Sequence, residues 1–358
     1  MPDRPGDEPV RIAVDVMGGD HAPDLPVEGS VQAARELGIP ITLVGREAEI
    51  RRALEAHPHG GLDIEIVHAE DTIGMDEAVV VALRRKKNSS LRVAAKLVRE
   101  GSAAGLVSAG NTGAIMAIAK TVIGTLEGVG RPALTTVVPN VSGKTVWLDV
   151  GANVEVKPEG FREFAIMGRE YARDILKIDN PRVGLLSIGA EEVKGTDLTR
   201  EVFKVLKADV ENFIGNVEGR DLFNGKCDVV VCDGFTGNVS LKALEAIVET
   251  LDVFLRQEMS KSFLTRLGFL LARPAFRGFR KRVDYAEFGG APLLGLKGCT
   301  VICHGGSSAR AIKNAIRSAA EFVRIGVARR IEDCMQELHI RREPARARSP
   351  QADSAAAP

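Results

Sequence analysis

The segment VVVCDGFTGNVSLKAL, residues 229–244, passes from an apolar run through a turn of Asp, Gly, Thr and Asn into a helical pattern. The same succession recurs in LVSAGNTGAIMA (106–117), LLSIGAEEVKGTDL (185–198) and VICHGGSSARAIKNAI (301–316). Such a junction points free backbone N–H groups and a positive helix end at one place, which favours an anion. A single Gly-rich turn is ordinary in an α/β protein. Four of them, if they converge on one cleft, indicate a site for a phosphate-bearing ligand.

The composition is typical of a soluble protein with a buried sheet. The 358 residues are 45% hydrophobic but only 4% aromatic, so the core relies on Val, Ile, Leu and Ala, as buried parallel strands require. Lys plus Arg balance Asp plus Glu at 48 each, so no global charge attracts nucleic acid. No stretch approaches the ~20 apolar residues of a spanning helix, and the first residues lack an apolar signal region. We expect a cytoplasmic protein.

The cysteines form no metal-binding or redox motif. Cys227, Cys232, Cys299, Cys303 and Cys334 are an odd set without a C-x-x-C spacing. We expect buried thiols in a reducing compartment. No helix carries a D-x-x-x-D pair, and neither a phosphate-binding G-x-x-x-x-G-K-[ST] loop nor a strand-coupled G-x-G-x-x-G is present. The sequence therefore predicts no metal and no cofactor.

Ten strand-like runs alternate with helical patterns along the chain. One such helix is expected over Ser89–Glu100, where Asn88 and Ser89 provide a cap and Gly101 a stop. The ten runs are Arg11–Val16, Ile41–Val44, Asp63–Val67, Gly105–Val107, Leu134–Val138, Thr145–Val150, Arg182–Ser187, Asn212–Ile214, Asp228–Cys232 and Thr300–Cys303. This alternation predicts a three-layer α/β/α fold with a largely parallel sheet.

No linker divides the chain, so we expect one composite α/β domain over residues 10–337. The Pro- and Asp-rich head, residues 1–9, and the Arg-, Pro- and Ala-rich tail, residues 341–358, are predicted to be disordered.

Residues 254–285 form a basic and apolar segment within that domain. Leu255, Met259, Phe263, Leu267 and Leu271 follow a four-residue spacing, and eight Lys or Arg side chains lie among them. An apolar stripe beside a basic face suits an anionic membrane surface or an acidic partner protein. A helix pair buried in the core or at a dimer interface is the alternative. Gly268 and Pro274 predict a protruding hairpin broken near these residues.

The sequence contains no recognisable protein nucleophile. A G-x-S-x-G elbow is missing, and Cys303 and His304 are adjacent, so their side chains point to opposite faces of a strand. Polar groups instead follow the expected strand ends, where ligands bind in open α/β sheets. They are Asp15, Gly18, Gly19, Asp20, His21, Asn111, Thr112, Asp149, Asn153, Lys194, Thr196, Asn216, Glu218, Arg220, Asp233, Thr236, Asn238, His304, Ser307 and Ser308.

Lys194 and His21 stand out among these groups. Lys194 lies in a Gly-flanked turn and is suited to pair with a phosphate or polarise a carbonyl, although a solvated loop lysine is the alternative. His21 suits an acid/base or a phosphate donor, and a turn histidine bonded to the backbone is equally compatible with its position.

Seven motifs at these positions resemble a known family. They are VDVMGGDHAP (14–23), VSAGNTGA (107–114), LDVGAN (148–153), IGAEEVKGT (188–196), GNVEGRDLFNG (215–225), CDGFTGNVSLK (232–242) and GGAPLLGLKG with CHGGSSARAIKNAI (289–316). In order and spacing they are similar to the acyl-ACP:phosphate acyltransferases of bacterial phospholipid synthesis, the PlsX family. The resemblance covers about residues 10–335.

The resemblance implies transfer of a long-chain acyl group from acyl carrier protein to inorganic phosphate. It also implies a fold similar to the isocitrate and isopropylmalate dehydrogenases and the phosphotransacetylases, a homodimer, and a cytoplasmic enzyme held peripherally at the membrane. The product acyl-phosphate would pass to a membrane glycerol-3-phosphate acyltransferase.

If phosphate is the nucleophile, the enzyme needs no Ser or Cys nucleophile, only groups that position phosphate and stabilise the oxyanion. On this hypothesis Lys194, Asp233 and His21 are catalytic. The expected binding residues are Gly18, Gly19, Asp20, Asn111, Thr112, Asn153, Thr196, Asn216, Thr236, Asn238, His304, Ser307 and Ser308. Basic side chains of the 254–285 segment, Arg266, Arg273, Arg277, Arg280 and Lys281, are expected to contact the carrier protein or the membrane.

The residues alone leave three alternative functions to be tested, and they favour them unequally. An acyl-CoA-dependent phosphotransacylase would use the same phosphate chemistry. A metal-dependent decarboxylating dehydrogenase would need clustered metal ligands and a nucleotide pocket that the motifs do not indicate. A non-enzymatic scaffold docked at the membrane would not need so many polar groups at strand ends.

Overall fold

The computed structural model describes residues 10–283 and 289–346, apart from the side chains of residues 277, 279–283, 339 and 341–346. Within this part of the chain eleven strands form one sheet, in the order β3-β2-β1-β4-β11-β10-β5-β6-β9-β7-β8. The strands are β1 Ile12–Asp15, β2 Ile41–Gly45, β3 Ile64–His68, β4 Gly105–Ser108, β5 Ala133–Asn140, β6 Gly143–Leu148, β7 Val183–Leu186, β8 Phe213–Val217, β9 Val229–Val231, β10 Ala291–Leu294 and β11 Cys299–Ile302.

Eleven α-helices occupy the same described ranges. They are α1 Asp24–Leu37, α2 Glu47–Glu55, α3 Val79–Arg85, α4 Ser90–Arg99, α5 Thr112–Ile118, α6 Pro158–Asp174, α7 Asp197–Asp209, α8 Gly234–Ser260, α9 Phe263–Val283, α10 Ala309–Ile325 and α11 Val327–Arg346. A π-helical turn, Ala119–Ile123, continues α5, and a 3₁₀ turn covers Gly219–Leu222.

The sheet separates two apolar cores, one on each face. Along β6, Val146 and Leu148 belong to the core shared with α1, α6, α7, α10 and α11, whereas Trp147 belongs to the core shared with α4 and α5. This alternation is the two-residue period of a strand buried on both sides. The predicted three-layer α/β/α fold is confirmed.

The sheet consists of two parallel blocks that run in opposite directions. Strands β3, β2, β1, β4 and β11 are parallel to one another, and so are β6, β9, β7 and β8. Between the blocks, β10 is antiparallel to β11 and β5, and β5 is antiparallel to β6. All ten predicted strands are present, with ends shifted by up to three residues. The short strand β10 was not predicted.

The structure corrects the predicted break in the basic hairpin. The chain turns at Lys261 and Ser262, between α8 and α9, while Gly268 and Pro274 both lie inside α9. Ser262 begins the second helix as a cap: its Oγ accepts a hydrogen bond from Thr265 N at 3.1 Å, and its N–H donates to Thr265 Oγ1 at 3.1 Å. A local cap therefore decides the helix boundary here, rather than the residues that weaken a helix.

The tail begins later than expected, because α11 continues through Arg346. Residues 341–346 are therefore helical and not disordered, although Pro344 lies within this stretch. The predicted head, residues 1–9, and the remainder of the predicted tail, residues 347–358, lie outside the described residues.

A glycine controls the contact between α1 and α10. A Cβ added at Gly29 would lie 2.5 Å from Ala309 O and 2.7 Å from Ile312 Cβ. We expect Gly29→Ala to lower the free energy of unfolding by about 1–3 kcal/mol, as overpacking of a close contact does. Urea unfolding followed by circular dichroism measures the change.

Gly268→Ala is the matched control, because Gly268 is also helical but a Cβ there meets no atom within 4 Å. In an exposed helix interior this substitution should be stabilising by roughly 0.5–1 kcal/mol. Equal effects of the two substitutions would show that the α1–α10 contact tolerates a methyl group.

Candidate active site at the strand ends

The turns after β1, β4 and β11 form one group of contacting loops, residues 15–21, 108–112 and 303–308, which we call the first turn cluster. Asp20 N donates to Gly305 O at 2.9 Å. A Cβ on Gly18 would lie 2.7 Å from Gly110 N, and Gly19 has a φ of +103°. Only glycine allows the three backbones to approach this closely without strain.

The buried carboxylate of Asp15, at the end of β1, holds the first turn cluster together by hydrogen bonds. Asp15 is 3% exposed, and Ser108 Oγ donates to its Oδ2 at 2.7 Å. The same Oγ accepts a hydrogen bond from Gly110 N at 3.1 Å. Burial raises the pKa of Asp15, and hydrogen bonds from Ser90, Ser108 and Met17 N oppose that rise. Asp15 and Ser108 thus hold the β1 and β4 turns in register.

Asn111 caps α5 and also anchors a neighbouring loop. Its Oδ1 accepts from Ala114 N at 3.0 Å, while its Nδ2 donates to Met75 O at 2.6 Å and Glu77 O at 3.2 Å. Thr112, the first residue of α5, is exposed at the cluster surface. The contact with residues 75–77 was not predicted, because nothing in that loop resembles a strand–turn–helix junction.

The histidines of the first turn cluster lie at its surface. His304 is exposed, and its Nδ1 accepts a hydrogen bond from Gly306 N at 3.2 Å. His21 is also exposed, and its carbonyl accepts Leu25 N at 3.2 Å at the start of α1. Ser308 caps α10 through Ala311 N at 3.3 Å, whereas Ser307 is 7% exposed. His21 therefore offers an accessible imidazole next to the glycine turns.

The turns after β6, β7, β8 and β9 form the second turn cluster, residues 149–153, 187–196, 216–221 and 232–238. Asp149 is fully buried, and its carboxylate accepts hydrogen bonds from the backbone N–H of Leu134, Gly151, Ala152 and Asn153 and from Asn153 Nδ2. Burial raises the pKa of Asp149, and these hydrogen bonds oppose the rise. Asp149 therefore shapes the turn after β6, as Asp15 does after β1.

Two of the side-chain amides predicted to bind substrate form hydrogen bonds inside the protein. Asn153 is 7% exposed, and its Nδ2 donates to Pro132 O and Asp149 Oδ2, both at 2.8 Å. Asn216 is 3% exposed, and its Nδ2 donates to Glu191 O at 2.9 Å. These hydrogen bonds tie both residues to neighbouring turns, while among the described residues Asn216 Oδ1 is buried and has no hydrogen-bond partner.

Asp233 and Thr196 are helix caps at the start of α8 and α7. Asp233 accepts from Thr236 N at 2.8 Å and from Thr236 Oγ1 at 2.7 Å. Thr196 Oγ1 accepts from Thr199 N at 3.2 Å. Asn238, one turn into α8, donates from Nδ2 to Val150 O at 3.2 Å. These bonds place the N-terminus of α8 against the 149–153 turn.

Lys194 lies on the exposed loop between β7 and α7. Its backbone N–H donates to Glu191 O at 3.0 Å, and Gly195, with a φ of +100°, follows it. Among the residues that the structure describes, its ammonium group has no recorded ion-pair or hydrogen-bond partner. The charge of Lys194 is therefore available to an anion.

The cysteine thiols are not placed as nucleophiles. Cys303 is 5% exposed, and burial raises its pKa to about 12. Cys227, Cys232 and Cys299 are buried as predicted, and Cys334 is half-buried. In the described ranges, no group of three or more His, Cys, Asp or Glu side chains is arranged to hold a metal ion.

Two open concavities lie away from both clusters. One, of about 560 Å³, is lined by residues of α2 and the end of β3, including Arg46 and His68. The other, of about 660 Å³, is lined by residues near the start of β11 and of α11, including Lys297 and Arg329. Neither is lined by a predicted site residue.

The basic hairpin is largely exposed on its apolar side as well as its basic side. Phe263 and Leu271 are 80% and 76% exposed, so in this chain the hairpin is not core. Arg266 Nε donates to Ser260 O at 3.1 Å, and Arg273 is exposed. The side chains of Arg277, Arg280 and Lys281 lie outside the described residues. No helix in the described part of the chain is long and apolar enough to cross a membrane.

Comparison with known proteins gives a consistent result. A family model described as "Fatty acid synthesis protein" matches residues 10–330. Two proteins named "Phosphate acyltransferase" are each 53% identical to the chain. The one from Pelobacter propionicus aligns over 92% of this chain and 96% of its own length, and the one from Geobacter sulfurreducens over 91% and 94%.

Among solved structures, a phosphotransacetylase from Streptococcus pyogenes has a TM-score of 0.58 at 19% identity, covering 87% of this chain and 93% of its own. A phosphotransacetylase from Staphylococcus aureus has a TM-score of 0.55 at 17% identity, covering 88% and 94%. At these identities the likeness concerns the fold.

The hydrogen bonds at Asp15 can be tested by measuring the free energy of unfolding. Ser108→Ala leaves the buried Asp15 Oδ2 and Gly110 N–H without this partner, so we expect a loss of about 1–3 kcal/mol in the free energy of unfolding. The control is Thr300→Val on neighbouring β11, because Thr300 Oγ1 is buried and finds no hydrogen-bond partner among the residues that the structure describes. The control should be neutral or stabilising, and equal destabilisation in both proteins would contradict the role of Ser108.

Proposed function

The chain belongs to the fatty acid synthesis protein family, and from this we propose that it is a phosphate acyltransferase whose donor is an acyl carrier protein and whose nucleophile is inorganic phosphate. The two relatives compared above, which align over at least 91% of this chain, carry the name phosphate acyltransferase. The carrier-protein donor and the roles of individual residues are the new parts of this assignment.

The reaction needs no covalent enzyme intermediate. An oxygen of hydrogen phosphate attacks the thioester carbonyl carbon, the carbon–sulfur bond breaks, and the phosphate proton passes to the departing thiolate. The products are acyl-phosphate and the free carrier-protein thiol. The burial and raised pKa of Cys303 fit a mechanism in which the protein positions reactants rather than attacking them.

The observation that carries this proposal is the approach of three glycine turns in the first turn cluster. Gly18, Gly19, Gly110 and Gly305 bring backbone groups together beside the N-terminus of α10. Backbone N–H groups and a helix N-terminus favour a phosphate without requiring a cation. We assign the phosphate to this cluster, with Asn111, Thr112, Ser307 and Ser308 around it.

The second turn cluster supplies the groups for the thioester. Although the two strand blocks run in opposite directions, adjacent strands are rotated by roughly 20–25° on average, so the six steps from β1 to β9 amount to about 120–150°. A rotation of that size would turn the carboxyl ends of the second block back toward those of the first. On this basis Lys194 neutralises phosphate or polarises the carbonyl, and Asp233 or His21 orients the reactants.

The remaining assignments concern partners. We propose a homodimer that contacts the membrane peripherally through the α8–α9 hairpin and passes acyl-phosphate to a membrane glycerol-3-phosphate acyltransferase. The exposed Phe263 and Leu271, together with Arg266 and Arg273, support a lipid contact, because bacterial membrane surfaces are anionic.

The direct test incubates the purified protein with palmitoyl-acyl carrier protein and phosphate. We expect free carrier-protein thiol and hydroxylamine-trappable acyl-phosphate to appear together, and only when phosphate is present. Formation of both from palmitoyl-CoA but not from the carrier protein would overturn the donor assignment. If neither donor gives a free thiol and acyl-phosphate, the proposed reaction is overturned.

The role of Lys194 can be tested in the same assay. If its ammonium stabilises developing charge, Lys194→Ala should lower kcat by roughly 10²–10³-fold, as loss of one such group does. Lys204→Ala is the control, since Lys204 is an exposed lysine on α7 that belongs to neither cluster. A Lys194→Ala enzyme with the turnover of the control would exclude an electrostatic role for this lysine.

A further inference from the structure

Residues 71–90 form a closed loop that carries α3. The loop is fastened at its base, where Asp71 N donates to Asn88 O at 3.3 Å and Ser90 N donates to Asp71 O at 3.0 Å. Arg92 Nη1 donates to Leu83 O at 3.1 Å and so holds the end of α3 from α4. These hydrogen bonds hold both the base of the loop and the end of α3, so the loop presents a surface of defined geometry.

Four consecutive basic residues end this loop, in the sequence RRKK at positions 84–87. Lys86 is used inside the loop: its Nζ contacts Glu77 Oε2 and Thr72 O, both at 2.5 Å. This contact and the Gly74 N–H hold the pKa of Glu77 below its ordinary value. Arg84, Arg85 and Lys87 are exposed, and among the described residues none has a recorded ion-pair or hydrogen-bond partner.

The outward face of α3 is also apolar. Val80 and Val81 are 59% and 39% exposed, although both lie in a helix that packs on α5. Large exposed apolar side chains next to unpaired charges are a common feature of protein interaction surfaces. We call Val80, Val81, Arg84, Arg85 and Lys87 the α3 surface.

The α3 surface adjoins the first turn cluster. Asn111 Nδ2 donates to the carbonyls of Met75 and Glu77, just before α3. Val79 Cγ2 lies 2.9 Å from the position that a Cβ of Gly113 would occupy, so the start of α3 contacts the start of α5. A protein seated on α3 would therefore have a tethered group within reach of the glycine turns.

We propose that the α3 surface docks the acidic carrier protein that delivers the acyl group. This inference rests on the proposed function, since it requires a macromolecular donor with a tethered thioester. Three exposed cations match an acidic partner, the two valines supply apolar contact area, and the contact with Asn111 fixes the distance to the reaction centre. On this assignment the α8–α9 hairpin contacts lipid and does not bind the carrier protein.

The test measures carrier-protein binding directly, so it does not depend on turnover. Fluorescence anisotropy of labelled palmitoyl-acyl carrier protein is followed with the full-length wild type and with the triple variant Arg84→Glu, Arg85→Glu, Lys87→Glu. Charge reversal at three exposed positions should weaken binding and raise Kd by at least roughly tenfold. The wild-type Kd should also rise with salt, because exposed charges are screened.

The matched control reverses charge on the competing surface, with Arg266→Glu and Arg273→Glu. We expect this variant to bind the carrier protein like the wild type and to lose binding to vesicles containing anionic phospholipid. The triple α3 variant should bind those vesicles normally and keep the wild-type KM for phosphate. Circular dichroism confirms that both variants are folded.

Four results would overturn the inference. One is unchanged carrier-protein binding by the triple variant, and another is loss of that binding only in the hairpin variant. A third is loss of vesicle binding by the triple variant, which would make the α3 surface a membrane contact. The last is a rise in the KM of the triple variant for palmitoyl-CoA as large as its rise in KM for palmitoyl-acyl carrier protein. That result would indicate a site for the phosphates of a small donor. Phosphate-dependent turnover by the wild type, measured in parallel, shows whether the proposed function itself holds.

Discussion

The structure depends on the reversal of strand direction in the middle of the sheet. Strands β10 and β5, antiparallel to their neighbours, join two parallel blocks that would otherwise be separate sheets. β10 pairs with β11 through Ala291 and Pro292 and with β5 through Leu293 and Leu294, so a short strand joins the two blocks into one sheet. Each block brings its own set of turns, and the relative orientation of the two sets depends on the accumulated twist of the sheet.

Both sets of turns use the same physical device. A buried aspartate next to a strand end, Asp15 in one block and Asp149 in the other, accepts hydrogen bonds from the backbone or the hydroxyl groups of adjacent turns. Burying a carboxylate is unfavourable unless such partners are present, so each aspartate imposes a definite turn geometry. Glycines then allow the close approaches, as at Gly237, where a Cβ would lie 1.9 Å from Asp149 O.

The regular part of this fold was predictable, because Val- and Ile-rich runs between Gly-rich turns have a clear period. The unpredicted strand β10 is only four residues long and begins after two glycines, so it has no period to detect. Pairing direction is a long-range property, and for this reason a largely parallel sheet was expected without its reversal.

At the site, the positions of the turns were predictable from Asn111, Lys194 and Ser308, but the use of each side chain was not. Sequence cannot show that the amides of Asn153 and Asn216 are already bonded inside the protein. Nor does it show that Lys86 closes a loop while Arg84 and Arg85 point outward. These distinctions depend on which partner lies opposite, and partners come from distant parts of the chain.

Helix α8 runs without a break from its cap at Asp233 to Ser260, 27 residues or about 40 Å. Among the described residues of α8, Gly234 and Gly237 in its first turn are buried, Leu241 and Leu244 are half-buried against the core, and the helix also contacts α9. Because the first turn of α8 lies against the 149–153 turn, a surface that holds the hairpin would also constrain the orientation of α8 relative to that turn.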